Sequence, residues 1–271
     1  QDVLKSLQNM INVGIVAYTR QPELIALACT IWQTHNVEAD TFLAQTQAPL
    51  SAVQIATLAD AINWEQEEEI ERLERIWKNV AGVLNEEEQS TATQLIVAKG
   101  QLGRSELPDQ CLSIWARSLG PKAYSVLTQV ILSSGVVDST QRRLWRQISS
   151  LAEMPPAMAI IELALKILEQ PSVPEVSTVI NSELKSITQQ FCDQTERSGV
   201  ASLLLKHLPR CPSMATKANL ADLAHSLGSP AVLKAVDAMS LTEDDLQVIA
   251  QKFGEGKEMK SLRKRFEKAG E

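Results

Sequence analysis

Apolar residues recur three and four positions apart along nearly the whole 271-residue chain, and no stretch alternates strictly enough to demand a strand. That spacing puts each apolar set on one side of a helix. Leu4, Leu7, Met10, Ile11 and Ile15 form the first stripe, and Pro22 suits the first turn of a helix carrying Leu24, Leu27, Ala28, Ile31 and Trp32. A short helix follows over about 37–45. Ser51 caps a helix with Val53, Ile55, Leu58 and Ile62, and Asn63 caps the longest, about 64–84. Asn85 followed by Glu86, Glu87 and Glu88 reads as another start, because first-turn carboxylates complement exposed backbone N–H groups.

Gly100 and Gly103 mark a break, and beyond them Pro108, Pro121, Pro155, Pro156, Pro171, Pro174, Pro209, Pro212 and Pro230 fall between stripes. Helices are expected near 108–118, 121–133, 139–152, 156–169, 174–193, 198–208, 213–227, 229–239, 243–253 and 257–269. Helices this short cannot bury a stripe alone, so antiparallel neighbours must pair and stack. The expectation is one all-α domain over 1–271, with 1–100 and 104–271 as a subdivision.

A slower rhythm overlies the helical one. Ile31-Trp32, Ile76-Trp77, Ile114-Trp115 and Leu144-Trp145 hold four of the five tryptophans, at intervals of 45, 38 and 30 residues. Trp77 follows Leu73 by four and Trp115 follows Leu112 by three, so both extend an apolar face and read as core packing between repeats. Trp145 has Ile148 after it but Gln141 before it, a weaker match. A second echo joins Ala116-Arg-Ser-Leu-Gly120-Pro121 to Ala224-His-Ser-Leu-Gly228-Ser-Pro230, 108 residues on.

Paired helices, units of about 30–45 residues and Pro or Gly at the turns resemble irregular HEAT and armadillo-type α-solenoids over residues 20–250. No consensus Asp or Arg recurs at fixed positions, and the alternative is a compact multi-helix domain. The resemblance implies partner binding along a concave surface. It carries over no functional residues.

Composition narrows the class. A 44% hydrophobic content can fill a sizeable core, while 4% aromatics argues against a sandwich or barrel. The net charge of -7 opposes non-specific attraction to nucleic acid. Cys29, Cys111, Cys192 and Cys211 lack disulfide-framework or zinc spacing, which favours thiols in a reducing compartment. No apolar run approaches membrane-spanning length and no signal peptide opens the chain, so a cytoplasmic or nuclear place is expected. Gln1 in place of Met suggests a piece of a longer polypeptide.

Three charged faces are the candidate contacts. Glu65, Glu68, Glu69 and Glu71 flank an apolar stripe of Ile70, Leu73, Ile76 and Trp77, and present an electronegative face for a basic partner, with Glu86–Glu88 nearby in sequence. Glu68 to Arg72 and Glu71 to Arg75 are i,i+4 pairs that support an exposed helix. Arg142, Arg143 and Arg146 share one side of another helix, where guanidinium forks suit phosphates or carboxylates. Lys260, Arg263, Lys264 and Arg265 lie on an amphipathic terminal helix with Met259, Leu262 and Phe266 inward, which caps the array or meets a partner.

Chemistry has little to stand on. His35, His207 and His225 fall in no catalytic motif, and Pro209 and Pro212 spoil a helical His207/Cys211 metal pair. The expected function is therefore a non-enzymatic scaffold or adaptor subunit without cofactor, metal or small-molecule substrate. Its partners are other proteins, self-association among them. The less favoured reading is a nucleic-acid-associated protein using the Arg142/Arg143/Arg146 face and the basic terminal helix.

Overall fold

Side-chain caps and apolar stripes together set the helix limits. The computed structural model describes residues 21–32, 39, 42–43, 50–99, 107–133, 138–151, 156–171, 174–191, 193–239, 241–253, 260 and 264. Among these the structure is all helical, with no strand: α1 (Gln21–Trp32), α2 (Ala52–Leu58), α3 (Glu67–Val83), α4 (Glu86–Lys99), α5 (Leu107–Leu119), α6 (Ala123–Leu132), α7 (Asp138–Ser149), α8 (Ala157–Leu168), α9 (Pro174–Thr188), α10 (Gln194–His207), α11 (Met214–Ser226), α12 (Val232–Asp237) and α13 (Glu243–Phe253). The expected stripe over Leu4–Ile15 lies outside the described residues. Of the expected helix over 257–269 only Lys260 and Lys264 are described, and both are helical.

Reciprocal caps occur where the sequence placed them or close by. Ser51 and Gln54 exchange side-chain-to-backbone bonds at the start of α2. Asn85 and Glu88 do so before α4, with Asn85 Oδ1 accepting from the Glu88 N–H at 2.9 Å and Glu88 Oε2 from the Asn85 N–H at 3.0 Å. Thr242 and Asp245 repeat the device at α13. Several limits differ from expectation, among them the end of α9 at Thr188 instead of 193, and two of the differences have local reasons. Asn63 does not cap α3, because its Oδ1 accepts from the Glu65 N–H in a tight turn, and the helix begins at Glu67. Asp193 accepts from the Thr195 and Glu196 N–H groups, so α10 starts at Gln194, four residues ahead of the apolar stripe expected to open it at 198.

Contacts divide the chain into two compact units, Gln1–Met154 and Pro155–Glu271. The Gly100–Gly103 break, the expected subdivision, falls inside the first unit, where α4 and α5 on either side of it pack together. In that unit α1 packs on α2, while α2 packs on α4, α3 on α5, α4 on α6 and α5 on α7, so from α2 to α5 each helix meets the next but one. In the second unit α8 packs on α10 and α9 on α11, while α11 also meets α10, α12 and α13. Buried Leu73, Ile76, Trp77, Leu112, Trp115, Val126, Leu127, Leu144 and Trp145 fill the first core. Buried Ile160, Ile161, Leu165, Val176, Ile180, Leu184, Leu204, Leu220 and Leu223 fill the second.

The paired Ala-x-Ser-Leu-Gly segments are helix stops. Gly120 and Gly228 follow the last turns of α5 and α11 with φ of 55° and 82°, the left-handed region that favours glycine. After α11, the Gly228 N–H donates to His225 O at 2.8 Å and the Ser229 N–H to Ala224 O at 3.1 Å, which closes a Schellman motif. A Cβ at Gly228 would touch nothing within 4 Å, so Gly228→Ala carries only the backbone penalty, about 1 kcal/mol. Gly199, inside α10 and equally uncrowded, should give the opposite sign: Gly199→Ala stabilises by about 0.5–1 kcal/mol. Urea melts of the two variants check this, and equal shifts would contradict it.

Candidate functional site

Interior hydrogen bonds hold the frame of the first unit. The Trp77 indole N–H donates to Ile55 O at 3.1 Å, and the Trp115 indole N–H to Thr93 Oγ1 at 2.8 Å. Each spans 22 residues of sequence. The two rings meet edge to face, 5.6 Å apart at 83°. Thr93 Oγ1 in turn donates to Gln89 O at 2.7 Å, and Gln89 Nε2 donates to Ala81 O and Leu84 O at the end of α3. A polar thread therefore runs from α5 through α4 to α3. Trp32, Trp77, Trp115 and Trp145 are all buried, as core packing requires.

The acidic face is smaller than the sequence implied. Glu65, Glu68 and Glu71 are exposed. Glu69 is only 8% exposed, because its carboxylate turns back to accept from the Asn63 N–H and pins the entry to α3. It is removed from the contact set and becomes a structural residue. Glu86–Glu88 begin α4 just past the end of α3, and seventeen helical residues rise about 25 Å, so they do not extend this face. Arg72, half-buried, lies over the Trp32 ring at 5.1 Å.

Along α7 the three arginines have different surroundings. Arg143 pairs with Asp109 at 3.6 Å and keeps only 22% of its side chain exposed. Arg142 is half-buried, and Arg146 alone of the three is exposed. The reason is the row beneath them, since Thr140, Gln141, Leu144, Trp145 and Ile148 are all buried and draw the flanking positions inward. Lys260 and Lys264 are exposed, whereas Arg263 and Arg265 lie outside the described residues.

Two polar arrangements escaped the sequence. Arg117 forks onto Glu74, Nε to Oε1 at 3.0 Å and Nη2 to Oε2 at 2.8 Å, tying α5 to α3 across 43 residues. This hydrogen bonding holds the Glu74 carboxyl below its ordinary value and raises the Arg117 guanidinium. In the second unit His207 Nδ1 stands 2.7 Å from Glu169 Oε1, with Arg210 Nη1 3.6 Å from the same oxygen. Helix α10 ends at His207, and the Cys211 thiol donates back to His207 O at 3.6 Å. Burial, with the Glu169 charge behind it, pushes that thiol up to about 11, the opposite of what a nucleophile or metal ligand requires. The half-buried Cys29 thiol is likewise pushed up by burial to about 11. Such pairings depend on which helices the fold brings together, and no local spacing announces them.

Because Glu74, Asp193 and Asp245 all sit below their ordinary carboxylate values, their contribution is present at neutral pH and lost as pH falls through the lowered folded values. Hydrogen bonds from Arg117 are the chief cause at Glu74, and from the Thr195 backbone at Asp193. The melting temperature should hold nearly level from pH 7 to about 5 and fall below that. Asp193→Asn, which keeps a capping oxygen without the charge, should flatten the acid limb; an unchanged limb would contradict the assignment.

Clefts open in each unit among the described residues. One of about 520 Å3 in the first unit is lined by Ser113, Arg117, Gly120, Tyr124, Gln147 and Leu151 among others. A larger one of about 920 Å3 lies in the second, with its walls on α9 and α11. No group of three or more His, Cys, Asp or Glu among the described residues is placed to hold a metal ion, and no described helix is long and apolar enough to cross a membrane. Comparison with protein-family models, curated proteins and solved structures finds no match to the chain.

Proposed function

We propose that the chain is a helical-repeat scaffold that binds other proteins, each unit being a short array of stacked helix pairs of HEAT or armadillo kind. The observation that carries the reading is the repeated tryptophan clasp. Ile55 with Trp77 and Thr93 with Trp115 are equivalent positions translated by 38 residues, each indole N–H reaching back to the preceding helix, the first to a backbone carbonyl and the second to a side-chain hydroxyl. A frame of this kind holds exposed side chains in fixed positions, so a partner loses little conformational entropy on binding. Glu65, Glu68 and Glu71 offer it a row of carboxylates, and Arg146, Lys260 and Lys264 offer cations elsewhere.

The exposed cations also favour a second reading, contact with a phosphate backbone. An oligonucleotide titration separates the two. The scaffold reading expects no binding of duplex or single-stranded DNA or RNA at low ionic strength. Binding whose logarithm falls linearly with that of salt concentration would overturn it, since each phosphate contact releases a counterion.

A further inference from the structure

The two helix rows of the first unit differ in charge. Helices α3, α5 and α7 carry both acidic and basic side chains, and ion pairs tie them to one another, Arg117 to Glu74 and Arg143 to Asp109. In the other row α2 and α6 hold no Asp, Glu, Lys, Arg or His, and neither does α4 from Gln89 to Ala98. Neutral bonds join this row: Ser90 Oγ donates to Gln129 Oε1 at 2.8 Å, and Gln94 Nε2 to Ser133 Oγ at 3.5 Å. The row faces solvent all the same. Thr91, Gln94, Ser125 and Gln129 are exposed, and Val53, at 65%, is the most exposed large apolar side chain among the described residues. A water-facing surface is ordinarily about 25–35% charged, and charge is depleted at the centre of protein interfaces. The α2/α4/α6 row therefore has the composition of an interface.

Its polar groups indicate the occupant. Thr57 and Thr91 spend their hydroxyl protons on Val53 O at 2.8 Å and Glu87 O at 2.9 Å, so toward a partner they accept. The carboxamide oxygens of Gln54 and Gln129 already take the Ser51 N–H and the Ser90 hydroxyl, which leaves their NH2 groups to donate. Acceptors and donors thus share one surface. A two-fold axis repeats every contact with the roles exchanged, so such a surface pairs with its own copy. Net charge favours the same occupant. Copies of a chain at -7 repel, and a charged row meeting its own copy opposes like charges, whereas the neutral row buries no unpaired charge. Three helices spaced about 10 Å apart, with about 15 Å of uncharged α4, give two apposed patches on the order of 1,000 Å2 in total, the lower end of specific interfaces. A dimer of that size is weak.

We propose that the α2/α4/α6 row is the contact between two copies of this chain, an isologous dimer held by Val53 and neutral hydrogen bonds. The contact leaves out Glu65, Glu68 and Glu71, and it does not rest on the scaffold reading.

Sedimentation velocity of the full 271-residue chain tests it, at low and high salt and at concentrations up to about 500 μM, well above the Kd of a micromolar complex. A dimer should form, and its affinity should hold or rise at high salt, because screening lessens the repulsion between copies and takes nothing from a neutral contact. Gln94→Glu and Gln94→Lys should each weaken it at least tenfold. An equimolar mixture of the two should recover most of that loss, since α4 is the middle helix of the row and lies beside the two-fold. Val53→Asp, on another helix, should also weaken it at least tenfold; both positions are exposed, so circular dichroism should not change. The Glu65→Lys, Glu68→Lys, Glu71→Lys variant should dimerise as before at high salt. A monomer throughout, a dimer indifferent to all three single variants, or one that the mixture fails to restore would overturn the proposal. So would a dimer that dissociates at high salt, which would mark association through the charged faces instead.

Discussion

Trp115→Ala should destabilise the first unit by about 3–5 kcal/mol, enough to unfold a large fraction of it against a typical total of about 5–15 kcal/mol. The ring is fully buried and packs edge to face on Trp77, so its removal leaves a cavity lined by side chains of α3, α4 and α5. It also strips Thr93 Oγ1 of its donor. Trp115→Phe keeps most of the apolar contact and loses only the N–H, so its cost should be well under half as large. Urea unfolding followed by circular dichroism checks both. An Ala variant costing less than about 1 kcal/mol would show that the clasp does not hold the layers together.

The second large effect belongs to Gln89, a polar residue with no exposed surface. Its amide nitrogen serves Ala81 O at 2.8 Å and Leu84 O at 3.2 Å, carbonyls at the C-terminal end of α3 that have lost their intrahelical donors. Gln89→Leu fills a similar volume but leaves both acceptors buried. Each orphaned carbonyl costs about 1–3 kcal/mol. Gln89 Oε1 accepts nothing among the described residues, and that existing penalty disappears with the side chain. The net loss should be about 2 kcal/mol in the same urea assay. Thr91→Ser, which removes only a methyl group from an exposed side chain of α4, should cost under about 0.5 kcal/mol and serves as the control.

Most of the helical layout was legible because its signals are local. Ser51, Asn85 and the proline punctuation act within a turn or two, and α7, α8, α11 and α13 fall close to their expected limits. Trp77 and Trp115 were legible as core for the same reason, since each has apolar residues three or four positions before and after it, whereas Trp145, with Gln141 before it, matched more weakly and is buried all the same. Glu69 was misplaced on the exposed face because its burial depends on a turn at Asn63 that the apolar period does not encode. The pairing of Arg143 with Asp109 was not legible because Asp109 lies on another helix. The α9/α11 cleft was invisible in sequence: its walls are ordinary faces of two helices, and only their packing brings Asn181 and Thr216 within 3.4 Å. Of the candidate contacts, the exposure of Glu65, Glu68, Glu71 and Arg146 was legible.

Affinity capture of the full-length protein from its own cells, paired with a Glu65→Lys, Glu68→Lys, Glu71→Lys variant, tests the scaffold claim most directly. These side chains are exposed, so circular dichroism and melting temperature should match between the two. The scaffold account predicts a reproducible set of co-purifying proteins, nuclease-resistant, of which at least one basic partner is lost on charge reversal. An identical set from both forms, or a set that vanishes on nuclease treatment, would contradict it.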